Sequence, residues 1–354
     1  MPRLLSIART IAVNLAVLAI GLIVLELAFG GWLFGPSWGM MNIPHDISRV
    51  FDVSDLYGGP KQAVYRRDHW GLRGAYPDPG HIDILTLGGS TTDQHFVGEG
   101  ETWQDALAQQ FAAAGHPLSV VNAGIDGQST VGHLRALDQW LPQIPGLKVR
   151  FVLAYIGVND AHVDAQAQYD DMRSPSLGRR ISRMFQNNSA VLRLFNTVAG
   201  TLKARQAHIV HGGTGVASGP WVAAAKVPDL NAAVEAERLT AYGQRVTALI
   251  ERVRAMGAEA IIVSQSRSDY RVREGKPLGR VMGDTSINTG SWAMQTALNH
   301  RAMESCRAAA AICIDLGDEL TFEDGDFYDW VHTTPTGNRR IAAYLFSRLD
   351  PRVR

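Results

Sequence analysis

The chain has 354 residues, 46% of them hydrophobic and 19% charged, enough for one large domain or two small ones with a substantial core. Lys and Arg number 34, as do Asp and Glu, so the formal charge is zero. With no global field and no basic tract interleaved with aromatics, the composition argues against a nucleic-acid partner.

The first element is apolar. Residues Ile11–Phe29 read IAVNLAVLAIGLIVLELAF, with only Asn14 and Glu26 strongly polar. At 1.5 Å per residue this run spans about 28 Å, close to a hydrocarbon core. Arg3 and Arg9 precede it, and the next basic residue is Arg49. The positive-inside bias puts the N-terminus in the cytoplasm and the rest of the chain on the periplasmic side. Trp32 and Trp38 suit an outer interface. A cleaved signal peptide is the rival reading. The run is longer than a usual signal core and no A-x-A site follows, which favours an uncleaved anchor over residues 1–35.

Residues 36–80, rich in Gly, Pro and Asp, read as a stalk and lead-in that includes Arg66-Arg67 and Arg73. The main domain, 81–354, then alternates strand and helix patterns. Ile82–Leu87 is the first strand. Thr102–Ala114 has helical spacing, with Trp103, Leu107 and Phe111 every four residues and Gly115 as its stop. Leu118–Val121 is a strand, Val131–Trp140 a helix, and VRFVLAYI at Val149–Ile156 a strand covered on both faces.

An excursion follows over about 161–227, too long for an ordinary βα loop. Within it Leu177–Arg205 has helix-like apolar spacing with interspersed arginines, and His211–Gly215 is a Gly-rich break. The spacing suits a solvated helix face, a lid or a helix on a membrane surface. Alternation resumes with helix Asn231–Met256, strand Ala260–Val263, helix Trp292–Ala310, strand Ala311–Asp315 and helix Thr336–Arg348. The pattern predicts an α/β fold, a doubly wound five-stranded parallel sheet with right-handed crossovers. Cys306 and Cys313 form no zinc-like cluster; as a pair they read as two buried thiols, with a disulfide as the alternative in an exported domain.

Strand ends carry the chemistry. The first strand runs into Gly88-Gly89-Ser90, the second into NAGIDG with Gly127, the third into GVND with Asn159, and Asp329-Trp330-Val331-His332 follows the fifth. In open sheets these carboxyl ends face one crevice. A serine hydroxyl becomes a useful nucleophile when a base takes its proton, and His332 is the candidate, with Asp329 three residues earlier able to orient the imidazole. Asp93 and Asp160 read as solvated loop carboxylates; His95, His133 and His162 as surface or supporting residues; Arg267 and Tyr270 as substrate contacts of low priority.

These four blocks, in this order, resemble the GDSL-type or SGNH hydrolase superfamily. The resemblance covers roughly residues 80–350 apart from the excursion, and Gly89 stands where the family keeps an Asp before its serine. It implies a flavodoxin-like sheet and a serine ester hydrolase with catalytic Ser90, Asp329 and His332, which the N-terminal apolar segment would place outside the cytoplasm. The oxyanion hole would be the backbone N–H groups of Ser90 and Gly127 and the amide of Asn159. No metal or organic cofactor is implied. The expected partner is an ester substrate, an acylated carbohydrate or a lipid; O-acetyl groups are one example. Two alternatives share the fold: an O-acyltransferase to a glycan hydroxyl, and a non-catalytic envelope binding protein.

Overall fold

A computed structural model describes residues 2–33, 41–57, 62–164, 167–173, 176–195, 220–224, 229–230, 232–274, 276–281 and 290–353. Trp38, the His211–Gly215 break and residues 196–205 of the expected insertion helix lie outside them. The strands in chain order are β1 (Ile47–Asp52), β2 (Gln62–Arg67), β3 (Ile82–Gly88), β4 (Val120–Asn122) and β5 (Val149–Tyr155), then β6 (Trp221–Ala223), β7 (Glu259–Val263), β8 (Tyr270–Arg273), β9 (Lys276–Arg280) and β10 (Ile312–Ile314).

Five of them form the expected parallel sheet, in the order β10-β7-β5-β3-β4. By rank along the chain this is 2-1-3-4-5 read from the β4 edge, the flavodoxin-like order. Its strand order reverses between β3 and β5, so a crevice opens at their carboxyl ends. Period-two alternation sends Leu85, Val152 and Ile262 to one face, against helices Ala236–Ala255 and Gly290–Ala308. Ile84, Leu153 and Ile261 go to the other, against helices Trp103–Ala113 and Pro335–Val353. Covered twice, the strands are apolar almost throughout.

The helix Trp103–Ala113 begins at Thr102, whose hydroxyl accepts from the Asp105 N–H while the Asp105 carboxylate accepts from the Thr102 N–H. The helix predicted over Val131–Trp140 is α-helical at Thr130–Arg135 and widens to π-helical turns over Ala136–Trp140. The N-terminal helix spans Pro2–Phe29; its Ser6–Phe29 portion is long and apolar enough to cross a membrane and is unburied.

Three features differ from the sequence reading. The lead-in holds an antiparallel β1–β2 hairpin that buries Ala63, Tyr65 and Arg67 on the domain. An inward arginine on a short strand broke the apolar alternation that would have revealed it. A second antiparallel sheet has three strands, in the order β6-β9-β8. Finally, Cys306 and Cys313 are disulfide-bonded, with Cα atoms 5.9 Å apart, tying the end of helix Gly290–Ala308 to β10. The two-thiol reading is thereby corrected: the turn after the helix brings the two Cα atoms within bonding range.

Candidate active site

β3 ends at Gly88, and Ser90 opens a single helical turn, Ser90–Asp93. The Ser90 hydroxyl lies 2.7 Å from Nε2 of His332, and Nδ1 of His332 lies 2.6 Å from Oδ2 of Asp329. The other carboxylate oxygen, Oδ1, accepts from the N–H groups of Val331 (2.9 Å) and His332 (2.7 Å). One aspartate therefore shapes the tight turn and orients the ring that the turn carries. Burial opposes its charge, yet hydrogen bonds and charge from His332, with the two backbone N–H groups, hold the carboxyl below the ordinary range. The turn itself is anchored by Ser268, whose hydroxyl donates to the Asp329 carbonyl at 2.7 Å and whose N–H donates to the Trp330 carbonyl.

Asn159 follows β5 in a short 3₁₀ turn, and its Nδ2 donates to the Gln128 carbonyl at 2.8 Å. This bond joins the third block to the loop of the second. A Cβ at Gly89 would stand 2.3 Å from Nδ2 of Asn159 and 2.9 Å from the Gln128 carbonyl oxygen. A side chain at position 89 would therefore meet both the Asn159 amide and the Gln128 backbone. Gly127 has φ +75, the left-handed region, and a Cβ on it would fall 2.5 Å from the Tyr169 ring. The five predicted residues thus fall into two hydrogen-bonded groups, Ser90–His332–Asp329 and Asn159–Gln128, with Gly127 beside Gln128.

Several residues that sequence reasoning missed hold this arrangement. Arg67, fully buried, donates to Oδ1 of Asp93 (2.6 Å), to the hydroxyl of Tyr65 and to the carbonyls of Gly71 and Gly124. Arg73 donates to the carbonyls of Asp93 (2.8 Å), Gln94 (3.0 Å) and Val97 (2.6 Å). Two arginines of the lead-in thus close the end of the Ser90 turn. Gln265, after β7, donates to the Thr91 hydroxyl at 2.7 Å and accepts from the Val158 N–H at 2.6 Å, bridging the turn of Ser90 to that of Asn159. The polar outlier Arg67, in step with Ala63 and Tyr65, was the available sequence signal. A buried glutamine leaves none.

The solvated-loop reading of two aspartates is corrected. Asp93 pairs with Arg67 in the interior, and Asp160, equally buried, accepts from the Thr130 hydroxyl (2.5 Å) and from Arg245 (3.1 Å). For Asp160, burial outweighs these partners and raises the pKa. For Asp93, burial is overcome by Arg67 and then by His95, so its pKa is lowered. His133 is buried, and desolvation pushes it down to about 3. Arg267 is committed to Asp269 through two hydrogen bonds, 3.0 and 2.9 Å. Tyr270 is buried against Trp292, with ring centroids 4.5 Å apart. A separate cleft lined by Tyr76, His81 and Arg150 opens at the amino ends of the strands and contains none of the predicted site residues.

The model of the GDSL-like lipase/acylhydrolase family matches residues 86–340. No curated protein matches the chain. Among solved structures, the chain is similar to an acetyl xylan esterase from Geobacillus stearothermophilus at 12% identity and TM-score 0.43, over 76% of this chain and 96% of that one. It is similar to TesA at 13% identity and TM-score 0.40, over 76% and 98%. A psychrotrophic esterase, EstA, from Pseudoalteromonas sp. gives 13% identity and TM-score 0.38, over 76% and 97%.

Proposed function

The chain belongs to the GDSL-like lipase/acylhydrolase family and is a carboxylic ester hydrolase, and from that premise we propose that it works through an acyl-enzyme on Ser90, outside the cytoplasm. The observation that carries the site assignment is the unbroken line Ser90 Oγ, His332 Nε2, His332 Nδ1, Asp329 Oδ2.

The steps follow from that line. The Ser90 oxygen attacks the ester carbonyl carbon while its proton passes to Nε2 of His332. Nδ1–H keeps its bond to Asp329, which stabilises the imidazolium without taking the proton. The N–H groups of Ser90 and Gly127 and the Asn159 amide hold the oxyanion. Nδ2 of Asn159 carries two hydrogens; one is engaged by the Gln128 carbonyl and the other serves the oxyanion. Collapse expels the alcohol with the proton from His332. Water, deprotonated by the same imidazole, then releases the acid.

Support for the location is of two kinds. The helix Ser6–Phe29 is long and apolar enough to cross a membrane, and Arg3 and Arg9 at its N-terminal end favour an uncleaved anchor with the domain on the periplasmic side. The Cys306–Cys313 bond suits an oxidising compartment. As the substrate class we propose O-acetyl esters of carbohydrate. A fluorophosphonate probe tests the nucleophile: it labels Ser90 in folded protein, and labelling that persists in Ser90→Ala refutes the assignment. Release of acetate from an acetylated polysaccharide, measured with and without a free glycan acceptor, tests the substrate and separates hydrolysis from transfer.

A further inference from the structure

The insertion helix Leu177–Asn188 leaves an apolar face uncovered. Leu177, Ile181, Met184 and Phe185 share one face by the 3.6-residue period, and Arg179, Arg180 and Arg183 share the other. The apolar side is left open: Leu177 is 68% exposed, Ile181 45% and Phe185 46%. Residues 190–195, also helical, repeat the pattern, with Leu194 at 68% and Phe195 at 66%. Of ten exposed large apolar side chains described beyond Leu33, seven lie between 177 and 195. Such a concentration marks a surface that meets something apolar.

What it meets is indicated by where it is joined. Glu26, the acidic residue of the apolar N-terminal helix, accepts from the Ser189 hydroxyl (2.6 Å) and from the N–H groups of Ala190 (3.0 Å) and Val191 (3.2 Å), the first turn of helix 190–195. Trp32 donates to the same carboxylate at 2.8 Å and sets its ring edge-on to Phe185, 5.1 Å between centroids. The Gly31 N–H donates to the Asn188 carbonyl (2.8 Å), and Arg193 to the Phe29 carbonyl (2.7 Å). The joint therefore lies in the last turn of Ser6–Phe29 and just past it, where the outer boundary falls of a bilayer that this helix is long enough to cross. Trp32 at that level and arginines on the opposite helix face match the chemistry of the headgroup zone.

We propose that residues 177–195 form an interfacial element, with the apolar faces of both helices immersed in the outer leaflet beside the anchor and lipid as their partner. The proposal rests on reading Ser6–Phe29 as an uncleaved membrane anchor. It gives Glu26 a purpose, capping the interfacial helix at the membrane surface, and fixes the domain close to the bilayer.

The test uses the full chain, with its disulfide oxidised, in vesicles of phosphatidylcholine and phosphatidylglycerol. Single variants Leu18→Cys, Arg179→Cys, Ile181→Cys and Leu194→Cys carry a fluorophore, and nitroxide-bearing lipids act as quenchers. The Leu18 label reports the anchor alone. The expected result is quenching at Leu18 by deep nitroxides, quenching at Ile181 and Leu194 by shallow ones, and emission at Arg179 that lipid quenchers leave unchanged. Quenching at Leu18 without quenching at Ile181 and Leu194 overturns the proposal and leaves the anchor standing. No quenching at Leu18 removes the anchor, and the proposal falls with it. Equal quenching of Arg179 and Ile181 overturns the orientation. Labels at Ile181 and Leu194 shielded from both lipid and aqueous quenchers mean that a protein surface covers the face, which also overturns it.

Discussion

Gln94 and Asn338, 244 residues apart in sequence, are joined by a buried hydrogen bond of 2.6 Å from Nε2 to Oδ1. Gln94 ends the turn that begins at Ser90, in the left-handed conformation at φ 54, and its Oε1 accepts from the Trp103 N–H. Asn338 also accepts from the hydroxyl of Thr333, the residue after His332. The segment bearing the proposed nucleophile and the segment bearing the proposed base are thus braced through one amide pair. Gln94→Leu is expected to leave the protein folded but less stable, and to lower kcat more than KM changes, because the Ser90–His332 distance loosens. Steady-state kinetics beside a thermal melt checks this; a drop in melting temperature with kcat intact refutes the bracing role.

Removal of the nucleophile or the base should be severe and non-additive. Ser90→Ala and His332→Ala are each expected to lower kcat on an activated acetyl ester by roughly 10⁴-fold or more, and the double variant little further. Circular dichroism should be unchanged. Additive losses would mean that the two side chains do not act as a unit.

Asp329→Asn keeps the shape of the turn and removes the charge. It is expected to cost about 10⁴-fold in kcat by favouring the wrong tautomer of His332. A loss confined to KM would contradict the orienting role.

Asn159→Ala should cost about 10²–10³-fold in kcat, the usual worth of one oxyanion donor. Binding of a neutral ground-state ester should change little. Gly89→Asp, which restores the residue usual in the family, should fail here, because its Cβ would meet the Asn159 amide at 2.3 Å. Wild-type activity in that variant would show that the amide can move aside.

The Arg67–Asp93 pair predicts an acid limb in stability. The folded pKa of Asp93 lies below its unfolded value, so its contribution is present above about 3.9, the ordinary aspartate value. That contribution is lost as the pH falls through the lower, folded value. Asp93→Asn should be destabilised at neutral pH by about 3–5 kcal/mol, since it strands a buried guanidinium. The gap between the variant and the wild type should shrink in acid, where both carry a neutral group. Denaturant titrations at a series of pH values give the gap directly, and one that stays constant would assign the stability to packing alone.

Local signals were enough for much of this protein. A buried parallel strand is a short apolar run, and a reactive loop at its end is a few small or polar residues. Both are contiguous in the chain, so β3, β5 and β7 and the blocks at Ser90, Gly127, Asn159 and Asp329–His332 were legible from the sequence. The apolar N-terminal helix was legible for the same reason: length and apolarity are one-dimensional properties. Tertiary structure alone decided the rest, because burial depends on what the topology brings alongside. It folded Arg67 and Arg73 onto the Ser90 turn, made Asp93 an interior charge, bonded Cys306 to Cys313 and paired Gln94 with Asn338. It also left the apolar face of Leu177–Asn188 uncovered. The periodicity of that segment marks two faces, and only the structure shows that the apolar one is left uncovered beside the joint to Glu26.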